Sequence, residues 1–318
     1  MVTLKALVEY TNSLLAVGNF SDYCPNGLQV EGRPDVQCLV SGVTASMELI
    51  EAAIAAKADA LLVHHGYFWK GEDECVTGMK RQRLQRLLGT DTSLLAYHLP
   101  LDAHPELGNN TQLARVLGFR HSGCFGNDAG LQLAQYGSLS QPLAAPALAK
   151  HIEAQLGRAP LHIAGRAAKI ETVGWCTGAA QSYIDAAVEQ GVDAFISGEI
   201  SEQTVHVARE CGIHYFAAGH HATERYGVAA AYEGYEDLLA DPNVDAVTLC
   251  SPIGLHYEQA MAAIRAGKHV HVNKAMTTVS QEADALIALA EEAGVCLVAS
   301  PGMMLHPHNR RIRKLLLE

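Results

Sequence analysis

Ala58-Asp59-Ala60-Leu61-Leu62-Val63-His64-His65-Gly66 decides the fold. Ala60 to Val63 is an unbroken apolar run, the mark of a strand buried on both faces. It ends on two adjacent histidines and a glycine. Just upstream, Ile50-Glu51-Ala52-Ala53-Ile54 sits in a helical stretch over Ser46–Lys57. The same grammar returns later: Ile184-Asp185-Ala186-Ala187-Val188 precedes Val192-Asp193-Ala194-Phe195-Ile196-Ser197-Gly198. Both 184 − 50 and 193 − 59 give an offset of 134 residues. A constant offset points to an internal duplication. The plainer alternative is that helix, Asp-Ala and apolar strand are generic α/β grammar, since Val244-Asp245-Ala246-Val247 repeats part of it.

Working outward, Cys38–Val43, Leu94–Tyr97, Thr172–Trp175, Ala194–Ile196 and His214–Ala218 read as further strands, with a helix over Gln181–Gln190. Alternating strands and helices predict an α/β fold. The expected architecture is two related α/β halves, 1–125 and 126–228, with a site between them. The character changes near Val228–Tyr232. Helix Tyr235–Ala240, strand Ala246–Cys250, helix Tyr257–Ala266, strand Val270–Val272, helix Gln281–Ala293 and strand Cys296–Ala299 follow as consecutive βα units. They predict a C-terminal, partial Rossmann-like segment over 229–318.

The 318 residues suffice for two domains, and 49% apolar content allows a sizeable core. No apolar run is long enough to span a bilayer. Met1 to Phe20 reads as an amphipathic helix and lacks the basic start and continuous apolar stretch of a signal peptide. The 8 cysteines are scattered with no CxxC pair, which predicts a reducing cytoplasm. A net charge of −11 argues against nucleic acid as the partner, although Lys80, Arg81, Arg83 and Arg86 form a local basic patch.

Of the 16 histidines, those that cluster after strands carry the chemistry. Neighbouring side chains in a strand point to opposite faces, so His64 and His65 serve one site only where the chain turns, and Gly66 permits that turn. Asp102 follows the strand ending at Tyr97. His220 follows the strand ending at Ala218 and Gly219. Glu224 lies four residues on, on the same face of a helix opened by Gly219. All five groups thus lie beyond the C-terminal ends of strands, where α/β sheets hold ligands. Three imidazoles and two carboxylates suit two divalent ions such as zinc, manganese, iron or nickel. One allocation has Glu224 bridging, His64 and His220 on one ion, and His65 and Asp102 on the other. His98, His104 and His214 are further candidates to touch metal or substrate. Lys80-Arg81-Gln82-Arg83 reads as a phosphate grip or a solvated helix face. Glu199 and Glu202 occupy the turn that matches His64-His65 in the second copy. There is no G-x-G-x-x-G, Walker loop or G-x-S-x-G, and so no cofactor-binding fingerprint.

Around these residues the sequence resembles the type 2 GTP cyclohydrolase I homologues, the NGG-interacting-factor-like dinuclear metal proteins. The matching motifs are Asp22-Tyr23-Cys24-Pro25-Asn26-Gly27-Leu28-Gln29-Val30-Glu31-Gly32, Val63-His64-His65-Gly66-Tyr67-Phe68-Trp69-Lys70, His98-Leu99-Pro100-Leu101-Asp102-Ala103-His104, Gly108-Asn109-Asn110, Ser197-Gly198-Glu199 and Gly219-His220-His221-Ala222-Thr223-Glu224-Arg225. The resemblance implies His64, His65, Asp102, His220 and Glu224 as metal ligands, a homohexamer, and GTP cyclohydrolase activity in some members. From about Tyr226 the chain resembles the glucose–fructose oxidoreductase/inositol dehydrogenase group, through Tyr235-Glu236-Asp237-Leu238-Leu239-Ala240-Asp241-Pro242-Asn243 and Ala266-Gly267-Lys268-His269-Val270. Asn273-Lys274-Ala275 stands where that group reads Glu-Lys-Pro. The phosphate-cradling first turn of a dinucleotide-binding domain is absent, and so is a substrate domain after Glu318, so no nicotinamide-dependent activity is expected. The chain reads as a chimera joined at Arg225-Tyr226-Gly227-Val228. Residues 229–239 and 244–250 are expected to supply a helix and strand that close the first family's fold.

The functional expectation is a metal-dependent hydrolase acting on a nucleotide- or pterin-like small molecule. Its base would be a metal-coupled carboxylate or a nearby histidine. The rival expectations are a non-catalytic metal-binding or regulatory protein, and an oxidoreductase remnant.

Overall fold

The computed structural model describes residues 2–126, 132–229, 239, 246–249, 253–272 and 276–299. The chain divides into two compact units, 1–231 and 232–318.

The first unit holds two large sheets and a two-stranded one. One large sheet has β2 (Gly27–Val30), β6 (Ser93–Ala96), β5 (Ala60–His65) and β4 (Leu39–Thr44) in that spatial order. β4, β5 and β6 run parallel, and β2 is antiparallel at the edge. Helix α1 (Leu4–Leu14) follows the short β1 (Val2–Thr3), which pairs with β3 (Asp35–Val36). The expected long N-terminal helix therefore stops early, and a 3-10 turn at Val17–Asn19 follows it. Residues alternate across the sheet. Leu61, Val63, Leu94 and Ala96 pack on the side that buries Ile50 of α2 (Met47–Ala55) and Leu87 of α3 (Gly78–Gly89). Ala60, Leu95 and Tyr97 pack on the side that buries Leu4 and Leu15.

The other sheet has six strands: β7 (Arg120–Phe125), β8 (Ala134–Leu143), β10 (Ile170–Cys176), β11 (Ala194–Ser197), β12 (His214–Ala217) and β9 (Leu161–Ile163). Only β10, β11 and β12 are parallel. β7, β8 and β9 are strands that periodicity passes over. β8 carries Gly137 and Pro142, residues poor in strands: Pro142 lies at its solvated end, and at Gly137 the Arg120 carbonyl of β7 comes too close for a Cβ. Its helices include α4 (Leu99–Ala103) and α5 (Asn109–Leu117), which lead into it, then α6 (Ala145–Leu156), α7 (Ile184–Gln190), α8 (Glu202–Cys211) and α9 (His220–Ala229). The helix expected over Gln181–Gln190 opens instead as a 3-10 turn at Gln181–Tyr183.

The repeat seen in the sequence is present in the hydrogen bonds. Asp59 Oδ2 accepts from the amides of Gln37 and Cys38 at 2.8 and 2.9 Å. Asp193 Oδ2 accepts from Glu171 and Thr172, both at 2.9 Å. Strand register also repeats: Leu39 pairs with Ala60, and Val173 with Ala194, at the same 134-residue offset. The Asp in each Asp-Ala step is thus a clasp between two parallel strands, tying the start of one to the start of the next.

That clasp makes an acid-stability prediction. Burial works against ionised Asp59, but the Cys38 and Gln37 amides and the Arg33 guanidinium outweigh it and hold its carboxyl below the usual range. A lowered folded value means the stabilisation is complete above the ordinary aspartate value and is lost as pH falls through the folded one. Asp59→Asn should lose about 1–3 kcal/mol at pH 7. It should also flatten the fall of stability below about pH 4. Urea unfolding at pH 7, 4 and 2.5 checks this; a constant deficit at all three would refute the clasp.

The second unit has three parallel strands, β13 (Ala246–Leu249), β14 (His269–Val272) and β15 (Leu297–Ala299), with crossover helices α10 (Ile253–Arg265) and α11 (Ser280–Ala293). Val247, Ile264, Val270, Val272 and Leu286 make its core. β13 pairs with β14 in this sheet and is its first strand. The expected helix at Tyr235–Ala240, except Leu239, and the Asn273-Lys274-Ala275 segment lie outside the described residues. Among the described residues no helix is long and apolar enough to cross a membrane, and the seven described cysteines are all free.

Candidate metal centre

The parallel strands of both halves end at one place. β5 carries His64 and His65 as its last two residues, so the strand runs two residues further than the apolar run alone predicts. Their rings nonetheless lie 4.4 Å apart, centroid to centroid. Each is anchored through Nδ1: His64 to the carbonyl of Tyr97 at 2.9 Å, and His65 to Thr44 Oγ1 at 3.2 Å. That leaves both Nε2 atoms for the site. Gly66 lets the chain close in behind them, since a Cβ there would stand 2.6 Å from the Ala96 side chain.

Asp102 sits in α4, buried, with Oδ1 accepting from Asn109 Nδ2 at 2.9 Å and Thr177 Oγ1 at 3.2 Å. His220 and Glu224 lie one turn apart on α9, and His220 Nε2 is 3.0 Å from Glu224 Oε2. Glu224 reaches the histidines of the first half as well. Its Oε1 is 3.5 Å from His64 Nε2, and its Oε2 is 3.3 Å from His65 Nε2. His64 Nε2 is also 3.5 Å from Asp102 Oδ1.

All five residues singled out in the sequence therefore come together. The donor atoms fall into two sets, His64 with Asp102 and Glu224, and His65 with His220 and Glu224. The sequence-based allocation had His64 with His220 and His65 with Asp102. The pairing differs because His64 points inward under α4 while His65, nearer the surface, faces α9. Glu224 alone belongs to both sets, one oxygen toward each. His64 Nε2 and Glu224 Oε2 are buried and make no well-aligned hydrogen bond, only ion-pair contacts of 3.0–3.5 Å within the cluster. Buried polar atoms with imperfect partners are costly, and two cations would satisfy both.

The electrostatics fit the same donor set. Burial opposes a charged His64, but Asp102 and Glu224 outweigh it and hold its imidazole up to about 9. The Glu224 carboxylate beside His220 likewise raises it to about 9, against burial. Burial and the neighbouring His64 push His65 down to about 3, so its imidazole is neutral, the form a metal ligand needs. Burial works against an ionised Glu224, yet His220 and His64 hold it down to about 2. Burial drives Asp102 the other way, upward. Without a cation the cluster shares protons among imidazoles and carboxylates, and a cation must displace them.

The other candidates divide. His98 lies at the site, its ring 5.1 Å from His64, held by Asp22 Oδ1 at 2.7 Å on Nδ1. Asp22 also accepts from Asn26 and from the amide of Leu99. Glu199 accepts from His220 Nδ1 at 2.6 Å and so orients it. Glu202 instead lies in the exposed first turn of α8. His104 caps a turn, its Nδ1 accepting from Glu106 and Leu107. His214 begins β12, at the end of the sheet opposite the site, and bonds to His162, Gly165 and Ala167. In the basic group, Lys80 pairs with Glu72 and lies over Phe68, and Arg83 lies over Tyr67.

Sequence reasoning missed Thr44, Thr177 and Gly178. A signal for them existed: the 134-residue offset carries Thr44 onto Gly178, so the loop after the first strand of each repeat reaches the same place.

With this geometry in view, the comparisons are specific. The family model described as Duf34/NIF3 (NGG1p interacting factor 3) matches residues 2–252. The match thus runs past Val228, where the motifs read from the sequence stop. The chain is 58% identical over 232 residues to the GTP cyclohydrolase 1 type 2 homolog of Pseudomonas aeruginosa, covering 72% of this chain and 90% of that protein. It is 53% identical over 228 residues to the protein of the same name from Escherichia coli, covering 71% and 90%. Among solved structures, that of protein ybgI, unknown function, has a TM-score of 0.69 at 52% identity, covering 73% of this chain and 92% of that one. TTHA1606 from Thermus thermophilus has a TM-score of 0.64 at 32% identity, covering 72% and 91%.

Proposed function

Since the chain belongs to the Duf34/NIF3 family, we propose that it is a dinuclear metal-dependent hydrolase of the GTP cyclohydrolase 1 type 2 kind, acting on a nucleotide-like small molecule. The observation that carries this reading is Glu224: one buried carboxylate with an oxygen turned to each of two donor sets. His64 and Asp102 would hold one divalent ion with it, and His65 and His220 the other. Zinc, manganese, iron and nickel all accept such imidazole and carboxylate donors. Two such ions, when bound, lower the pKa of water and clamp the oxygens of a displacement.

The chain's own residues supply the rest. Tyr97, Thr44 and Glu199 fix the ring orientation of His64, His65 and His220 through their Nδ1 atoms. Asn109 and Thr177 hold Asp102 Oδ1. Such orienting partners are commonly worth about 10–100-fold in metal affinity. His98, braced by Asp22, is the nearest imidazole outside both sets and is placed to carry a proton. Assembly into a homohexamer belongs to the same reading.

The second reading, a non-catalytic metal-binding protein of this fold, uses the same five ligands. A panel of nucleotides and pterins with metal-loaded protein separates the two. We expect turnover of at least one guanine nucleotide, with kcat/KM falling at least about 10²-fold in His64→Ala. Full metal occupancy with no turnover of any member would favour the second reading.

A further inference from the structure

The chain has 2 tryptophans, and they live differently. Trp175 is fully buried in the core of the second half, its indole N–H donated to the carbonyl of Asn110. Trp69 is half-buried and belongs to no apolar core cluster among the described residues. It packs on imidazoles instead: its ring lies 5.0 Å from His98, nearly perpendicular, and 5.9 Å from His65. Its N–H is used locally, on the carbonyl of Gly66.

The turn that presents it is strained and heavily tied down. Phe68, just before it, has φ of 64°. For a bulky residue that is a genuine outlier, kept only where surrounding contacts over-determine it. They do so here. Gln29 grips Tyr67 twice, accepting from its amide at 2.7 Å and donating to its carbonyl at 3.1 Å. The Tyr67 hydroxyl donates to Ala45, and the Lys70 amide donates to Tyr23. Tyr23 is itself 53% exposed and sets a second ring 6.5 Å from His98. A strained turn, a fixed indole outside the core and an exposed tyrosine thus rim the five-ligand cluster on the His98 side.

We propose that Trp69 is a stacking platform for a planar heteroaromatic ligand bound beside the metal pair. The idea rests on the nucleotide-hydrolase reading for its location and deepens it, naming the residue that recognises the ring. An indole face binds any planar base by stacking, so the platform selects for a ring and leaves the phosphates to other groups.

The test is binding to metal-loaded protein, followed by tryptophan fluorescence and by calorimetry. The probes are GMP, GTP and neopterin, with ribose 5-phosphate as the ringless control. Quenching by a ring probe is expected in the wild type and lost in Trp69→Phe, where only the core Trp175 still emits. Affinity should fall at least tenfold in Trp69→Leu and be largely kept in Trp69→Phe, with metal content unchanged in both. Ribose 5-phosphate should bind all three proteins alike. Equal affinity of a ring probe for wild type and Trp69→Leu would overturn the platform while leaving the nucleotide reading in place. Quenching by neopterin with no nucleotide binding would keep the platform and sink the nucleotide reading. Failure of every ring probe to bind would overturn the platform.

Discussion

Glu224→Gln should purify almost free of metal, where the wild type is expected to carry about two divalent ions per chain. The substitution keeps the size of the side chain and removes its charge. Both donor sets share this one residue, with Oε1 turned to His64 and Oε2 to His65 and His220. Loss of both ions together is therefore the expected result, where removing His65 or Asp102 would empty one set first. Elemental analysis of the two proteins, purified side by side, checks it. Retention of one full ion in Glu224→Gln would show that Glu224 serves a single ion and would sink the bridging assignment. The metal-free fold should suffer as well. His64 is buried beneath Glu224 and is held up to about 9 against burial by Asp102 and Glu224. Breaking a buried charged pair by removing one partner costs about 3–5 kcal/mol. Chelator-stripped Glu224→Gln should consequently unfold at lower denaturant than stripped wild type.

Gly178→Ala should do comparable damage without touching a ligand. Gly178 has φ of 67°, and a Cβ there would stand 2.0 Å from Glu224 Oε1 and 3.3 Å from His220 Nε2. The backbone has no room to retreat. Its amide donates to Thr223 at 3.1 Å, and its carbonyl accepts from the Gly198 amide at 2.9 Å and the Ser197 hydroxyl at 3.1 Å. The carboxylate must therefore yield, and metal affinity should fall at least about 100-fold, the upper range for disturbing a ligand's support. Gly191→Ala is the control. Gly191 has φ of 75° with nothing near its missing Cβ, so it should lose about 1–2 kcal/mol to backbone strain and keep its metal. Competition with a chromophoric chelator measures both. Equal metal affinity in the two variants would mean that Gly178 matters only as a left-handed turn.

Much of this molecule was legible in the sequence, for a physical reason. Parallel strands buried on both faces must be apolar throughout, so Ala60–Val63 and Ala194–Ile196 announce themselves. The Asp-Ala step recurs because each Asp clasps two strand amides, a local requirement that leaves a fixed spacing. The cluster of His64, His65, Asp102, His220 and Glu224 could be read because each residue stands at or just beyond the C-terminal end of a parallel strand, the first three in the four-stranded sheet and the last two in the six-stranded one, and parallel strands of a sheet all end on one side. Strands with an exposed face or end leave weaker traces. β7 and β8 went unseen for that reason, and β8 tolerates Gly137 and Pro142 within it.

Other features were settled only in three dimensions. Which histidine joins which carboxylate depends on the depth of His64 under α4 and the approach of α9, distances that no spacing encodes. The need for glycine at 178 comes from a carboxylate 46 residues away in the chain, brought within van der Waals range by folding. A sequence states what each segment requires of its own backbone and faces; which segments meet, and at what distance, is decided by the packing that satisfies all of them together.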